Sequence, residues 1–318
     1  MVLDKMFSDL PTKGSFALAD QAAYRRWRDL KVSYYPITKE DIFVDIADLA
    51  QPTERERSKA LSIVQCTNFF FYRSHESSLS GREAALGLAR AFGFRRLDAN
   101  PMADDDGLTL VAVRDAGPKT RYIPYTDRPI QWHTDGYYNA PDRQIRGFLL
   151  HCERCAAEGG GSLLMDPEIA YILLRDENPA LVAALFHPEA MTIPANAEDG
   201  REPRTGPVFS IDSASGALHM RYTARTRSIS WRDDSEVRAA TEALTRILDD
   251  PASPYVVRHR LGAGEGIVCN NVLHGRTGFR DAPVGAQHLM RAGIGPRDPA
   301  LGQRLVWRAR SYDRIAPV

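Results

Sequence analysis

The chain has no surplus of charge of either sign: 41 lysines and arginines stand against 41 aspartates and glutamates in 318 residues. A protein that grips nucleic acid by neutralising phosphates carries a basic excess, so this balance argues against that partner. Cysteine is scarce. Four residues, Cys66, Cys152, Cys155 and Cys269, are too few for a disulfide framework at this length. No apolar run approaches the ~20 residues of a membrane-spanning helix. The opening MVLDKMFSDL is broken by charge and has no apolar stretch of the kind that marks a secretion signal. Internal repeats and low-complexity tracts are missing as well. The remaining composition, 43% hydrophobic and 26% charged, is that of a soluble globular protein. The expected address is the cytoplasm and the expected partner a small molecule, with no nucleic acid and no membrane; a homo-oligomer stays open.

Such a length admits two domains, although β barrels and sandwiches often exceed 200 residues as one. The first part has helical patterning over Gln21–Leu30 and Thr53–Ser62, where Thr53-x-x-Glu56 has the spacing of a capping box. Ser80-x-x-Glu83 opens another helix that runs to about Phe92. Asn68–Tyr72 (NFFFY) and Leu108–Val113 (LTLVAV) read as strands. From Ile130 onward short strands follow one another: Ile130–Asp135, Ile145–Cys152, Ser162–Met165, Pro207–Ile211, Ala217–Tyr222, Tyr255–Leu261, Gly266–Asn270 and Arg304–Arg310. Turns rich in glycine, such as Gly159-Gly160-Gly161, separate them. Two helices interrupt the series, one capped by Asp166-Pro167 and running to about Arg175, the other amphipathic over Asp234–Leu248. The pattern predicts one domain over 1–318, mainly β with flanking helices. Residues 1–129 form a helical flank with outer strands, and 130–318 the core.

The segment Gln131-Trp132-His133-Thr134-Asp135 carries the chemistry. On a strand, residues two apart share a face, so His133 and Asp135 point the same way and suit a metal ion. A third ligand must come from a distant strand, and His274 in Asn270-Asn271-Val272-Leu273-His274-Gly275-Arg276 is the best candidate. Two histidines and one carboxylate leave three positions open on Fe(II). By itself the His-x-Asp pair is weak, and His151-x-Glu153 and His187-x-Glu189 are rivals. His151, His75, His219, His259 and His288 read as structural histidines. Cys152-x-x-Cys155 lies on a strand where those positions face opposite ways, which favours two inert thiols over a redox or zinc pair.

The segments His133-Thr-Asp-Gly-Tyr-Tyr, Leu149-Leu150-His151-Cys152, Glu158-Gly-Gly-Gly-Ser162 and Asn271-Val-Leu-His274-Gly-Arg-Thr277 occur in a familiar order. Over about Ile130 to Arg310 the chain resembles the taurine dioxygenase and γ-butyrobetaine hydroxylase group of Fe(II)/2-oxoglutarate-dependent dioxygenases. The preceding helices match only in element order. The resemblance implies a double-stranded β-helix (jelly-roll) core, Fe(II) on His133, Asp135 and His274, and 2-oxoglutarate and O2 as co-substrates. It implies further that an arginine on the last core strand holds the distal carboxylate of 2-oxoglutarate. A hydroxyl residue assists it, and Ser162 occupies that position where threonine is usual. Arg304-Leu-Val-Trp-Arg308 fits the arginine pattern but stands far past His274, so 281–303 would be an enlarged loop; Arg291 is the alternative anchor.

Arg304 and Arg308 would lie ~13 Å apart along a strand, too far to share one carboxylate. Arg304 is therefore assigned to 2-oxoglutarate, and Arg308 to the side of the iron or the prime substrate. Trp132, Tyr137 and Tyr138 flank the metal motif as substrate-binding candidates. The implied reaction is hydroxylation of a small, anionic organic substrate with release of succinate and CO2. Asp135 argues against the halogenating relatives, which lack that carboxylate. The polar stretch Ala195–Thr205 is either a lid or a surface loop. A metal-binding barrel without turnover, and an Fe(II) oxygenase that uses no 2-oxoglutarate, are the competing readings.

Overall fold

Ten strands form two sheets whose inner faces enclose a common cavity. In the computed structural model, the residues described are 13–74, 79–99, 103–104, 106–114, 117–213, 215–281 and 303–315. In chain order the strands are β1 (Phe43–Asp45), β2 (Phe69–Arg73), β3 (Leu108–Val111), β4 (Ile130–His133), β5 (Gly147–Arg154), β6 (Ser162–Met165), β7 (Val257–His259), β8 (Glu265–Cys269), β9 (Leu273–Arg276) and β10 (Leu305–Ser311). The larger sheet has the order β1-β2-β8-β5-β10-β3 and the smaller β7-β6-β9-β4. Only β1 and β2 run parallel; the other pairings in these two sheets are antiparallel. Residues before 130 supply β1 and β3 at the two edges of the larger sheet and β2 just inside β1; β2 and β3 correspond to the stretches Asn68–Tyr72 and Leu108–Val113, whereas β1 was not read from the sequence.

Local chemistry accounts for the elements. Helices α1 (Gln21–Val32), α2 (Lys39–Ile42), α3 (Glu54–Thr67) and α4 (Gly81–Ala91) precede the metal motif. Thr53 and Ser80 close capping boxes with Glu56 and Glu83, satisfying backbone donors that the first turn of a helix leaves open. Asn68 then adopts the left-handed conformation at φ 61° and turns α3 directly into β2. Phe69, Phe70, Phe71 and Tyr72 of β2 are all at most 1% exposed, because this strand is covered on both faces.

Between β6 and β7 the chain inserts α5 (Pro167–Glu177), α6 (Pro179–Phe186) and α7 (Ser235–Asp249). Asp166 and Asp234 cap α5 and α7 as their positions imply. Helix α6 was not legible as a separate element. Its PALVAALF sequence is apolar on nearly every side and carries no stripe of period 3.6, which suits a helix buried against its neighbours. Leu181, Val182 and Leu185 join Ile169, Leu174, Leu244 and Leu248 in a second core, apart from the one beneath the larger sheet.

Two strand boundaries and one bulge bear on the site. The strand expected over Ile130–Asp135 ends at His133, and Asp135 lies in the following turn. The strand expected at Ile145–Cys152 runs from Gly147 to Arg154. In β10 a bulge falls between Leu305 and Val306, where the partner on β5 jumps from Arg154 to Cys152. The stretch from Ala195 to Thr205 is folded back on itself by reciprocal backbone bonds between Asn196 and Arg201, and Arg204–Gly206 pairs with Met191–Ile193. All four cysteines are free: Cys152 and Cys269 are buried, Cys66 and Cys155 half-buried. Among the described residues no helix is long and apolar enough to cross a membrane.

The centre of the larger sheet leaves no room at Gly266. A Cβ there would collide with the Leu150 carbonyl oxygen and the hydroxyl of Tyr72, itself fixed at 3.0 Å from His151 Nδ1. Gly266→Ala is expected to cost about 1–3 kcal/mol through overpacking, read as a lower urea midpoint at unchanged slope.

Candidate active site

Strands β4 and β9 are neighbours, and their register sets His133 directly opposite His274. The two rings stand 4.1 Å apart between centroids. Each Nδ1 lies 2.9 Å from a backbone carbonyl two residues earlier, Gln131 for His133 and Val272 for His274. A carbonyl oxygen only accepts, so each Nδ1 carries the proton and each Nε2 presents a lone pair. Asp135 Oδ1 lies 3.9 Å from His133 Nε2. One ligand atom from each of His133, Asp135 and His274 falls within 4.8 Å of the others, the one such cluster of three among the described residues.

Asp135 reaches this position from a turn rather than from the strand, so the same-face argument holds for the outcome but not for the route. Its Oδ2 is buried with no hydrogen-bond partner, a costly state for a carboxylate unless a cation completes it. Burial works to raise this carboxyl, but the guanidinium groups of Arg308 and Arg310, helped by the two imidazoles, hold it down at about 2. Burial lowers both imidazoles, His274 to about 3 with His133 adding to the effect. The cluster therefore offers two neutral imidazoles and one anion at neutral pH, the protonation states a divalent ion requires.

The opposite wall of the cavity is the larger sheet. Arg304, immediately before β10, and Val306 and Arg308 of β10 line it, facing Ser162 and Leu164 of β6 and His274 and Arg276 of β9. Arg304 is 7% exposed; its backbone N–H donates to Asp281 Oδ1 at 2.9 Å and its guanidinium lies 5.4 Å from the Phe279 ring. Arg308 Nε is buried without a hydrogen-bond partner. Arg276, which sequence reasoning passed over, is committed elsewhere. Its guanidinium donates to the carbonyls of Pro124, Thr126 and Arg128, at 2.7 Å for the last two.

Arg310 lies on the strand face shared with Arg308 but turns to Asp98 in a buried ion pair, and donates to the Tyr138 hydroxyl at 2.8 Å. The three aromatic candidates do not line the cavity. Trp132 faces away from His133 because neighbouring residues on a strand alternate, and it is 8% exposed within the second core. Tyr137 packs against that core, in edge contact with Tyr138. Tyr138 is held by Arg310 and by Arg201, whose guanidinium lies 5.3 Å from its ring.

The rival histidines are accounted for by packing. His151 is buried against Tyr72, His187 accepts from the Glu189 N–H at 3.0 Å, and His259 pairs with Glu265 at 2.7 Å. His75, His288 and Arg291 lie outside the described residues.

A two-histidine, one-carboxylate cluster facing buried arginines across a two-sheet cavity defines a class of non-haem metal protein. The taurine catabolism dioxygenase TauD, TfdA family matches residues 34–292, so the chain belongs to that family. This stretch includes Arg291 and ends before Arg304. A uridine-5'-phosphate dioxygenase from an Amycolatopsis species is 32% identical over 166 residues, 51% of this chain and 59% of that protein. The chain thus aligns with less than two thirds of that relative's length. Among solved structures, a putative alpha-ketoglutarate-dependent taurine dioxygenase from Burkholderia xenovorans has a TM-score of 0.54 at 15% identity, covering 85% of this chain and 89% of that one. An asparagine oxygenase in complex with Fe(II), 2S,3S-3-hydroxyasparagine and succinate has 0.52 at 12% identity, covering 92% of each chain. At such identities the likeness is one of fold.

Buried neutral histidines also set an acid limit on stability. Burial holds His151 at about 4 and His219 at about 3, both below the ~6.5 of an unfolded chain. The unfolded state binds more protons between these values, so stability is complete above about pH 6.5 and is lost as pH falls below it. The urea midpoint of the metal-free protein should be flat from pH 8 to 7 and decline steadily from 6.5 to 4.5. A midpoint that rises on acidification would show that these imidazoles are charged in the fold.

Proposed function

We propose that this protein is an Fe(II)- and 2-oxoglutarate-dependent dioxygenase that hydroxylates a small anionic organic substrate. Its two sheets are read as a double-stranded β-helix within a single domain. One observation carries the proposal: a single cavity has the His133–Asp135–His274 cluster, with its unpartnered carboxylate oxygen, on one wall and Arg304 and Arg308 on the other.

In this reading His133, Asp135 and His274 hold Fe(II). Held there, Fe(II) would supply the redox chemistry that couples oxidation of a substrate C–H bond by O2 to decarboxylation of 2-oxoglutarate, with succinate and CO2 as co-products. Arg304 presents a planar fork to the distal carboxylate of 2-oxoglutarate, with the Ser162 hydroxyl on the facing wall. Arg308, set further along β10, orients the anionic group of the prime substrate. Val111, Phe148, Leu150, Leu164, Ile267 and Val306 surround these groups with apolar surface, which excludes water and strengthens each charge interaction. The similarity to a uridine-5'-phosphate dioxygenase makes phosphorylated nucleosides the first compounds to screen, ahead of sulfonates and carboxylates.

Anaerobic addition of Fe(II) and 2-oxoglutarate should produce a weak visible charge-transfer band. Arg304→Ala is expected to weaken 2-oxoglutarate binding by thirty-fold or more, corresponding to the loss of about 2 kcal/mol when one member of a buried charge pair is removed. Arg291→Ala should leave the band intact, and the reverse result would move the anchor to Arg291. Metal binding with neither a band nor succinate formation in air would favour a barrel without turnover. Substrate oxidation with no 2-oxoglutarate consumed would favour the other oxygenase reading.

In air, the correct prime substrate should raise succinate release above the level seen with 2-oxoglutarate alone. Arg308→Ala should raise KM for an anionic substrate by tenfold or more, with a smaller effect on 2-oxoglutarate. Equal losses for both would show that the two arginines do not divide the work.

A further inference from the structure

We propose that Asn271 is a positioning residue that holds Asp135 in place for the metal; this rests on the reading of His133, Asp135 and His274 as ligands. Asp135 lies beyond the end of β4, so the strand ladder does not fix it. Its backbone is tied instead to one side chain. Asn271 Oδ1 accepts from the Asp135 N–H at 2.8 Å, and Asn271 Nδ2 donates to the Asp135 carbonyl at 3.0 Å. The same Nδ2 donates to the Ile145 carbonyl at 2.6 Å, anchoring the turn to the chain two residues before β5. Asn271 is 3% exposed, and Asp135 6%, so water does not compete for these bonds.

The residue type follows from two requirements. A primary amide carries a donor and an acceptor on separate atoms side by side and matches both polar groups of one residue's backbone; a carboxylate has no donor, and a hydroxyl has a single proton on the same atom that accepts. The backbone of Asn271 is also left-handed, at φ 51°, a conformation that asparagine and glycine tolerate best. Asn271 stands three positions before His274 in the segment that enters β9. One short stretch of chain thus presents one imidazole directly and sets the carboxylate through its amide. The separation between those two ligands is decided within this segment and not by the length of the β4 strand.

Partners that orient metal ligands typically change metal affinity by 10–100-fold when removed. The test is Mn(II) affinity, measured by calorimetry on chelator-treated protein well below the unfolding temperature of each variant. Asn271→Gly keeps the backbone conformation and loses all three bonds; Asn271→Asp keeps the acceptor and loses both donations. Both should bind Mn(II) at least tenfold more weakly than the wild type while remaining folded. Folded variants with affinity within twofold of the wild type would overturn the proposal and leave Asn271 a structural residue. If neither variant folds, hydrogen exchange in the metal-free wild type decides, since the Asp135 amide should be strongly protected and rapid exchange would show that the bond is absent. A wild-type protein that binds no Mn(II) overturns the metal reading itself, a failure visible before any variant is made.

Discussion

The pairing of β9 with β4 is the constraint on which the site depends. Because the register places His133 and His274 opposite one another, two imidazoles converge without any long side chain having to reach. The carbonyls of Gln131 and Val272 then fix the protons on Nδ1 and leave both Nε2 atoms facing the same point. Asp135 adds the one negative charge, from a turn whose geometry is imposed across the sheet by Asn271. A register slip of one residue would send one imidazole to the far face and dissolve the cluster.

Across the cavity the difficulty is reversed, since cations rather than an anion must be kept away from water. Arg276 places its terminal nitrogens on three backbone carbonyls, and Arg310 its own on Asp98 and Tyr138, although the Nε of each is buried without a partner. Arg308 retains a buried Nε without a partner, and Arg304 lies almost fully buried beside Phe279. Buried charge of this kind is unfavourable until an opposite charge arrives. The cavity is therefore divided by charge, with the Asp135 carboxylate on one wall and guanidinium groups on the other. The zero net charge of the chain conceals this segregation, because the sum over 318 residues averages away a strongly polarised interior.

Much of the framework was legible before folding. The capping boxes at Thr53 and Ser80, the Asp166-Pro167 start of α5 and the amphipathic α7 are local signals, and each appears where its residues place it. Short strands from 130 onward were readable from turn residues and apolar runs. Helix α6 was not, since a segment buried on all sides has no polar face to betray its period. Trp132 beside the metal motif looked like a pocket residue and is a core residue, because adjacency in sequence along a strand means opposition in space. Tyr137 and Tyr138 likewise do not line the cavity.

The amino-acid sequence alone determined which side chains are available to bind metal and carboxylate, and the order in which their motifs occur. Those are matters of residue identity and short-range spacing. Tertiary structure decided which of them meet. Asp135 is held by a residue 136 positions away, and Arg310 is drawn off by Asp98 and Tyr138 at separations of 212 and 172. No local rule contains such distances. Burial and sheet register choose among equally plausible arginines and aromatics, because the cost of an unpaired charge or an exposed ring is known only once both walls of the cavity are in place.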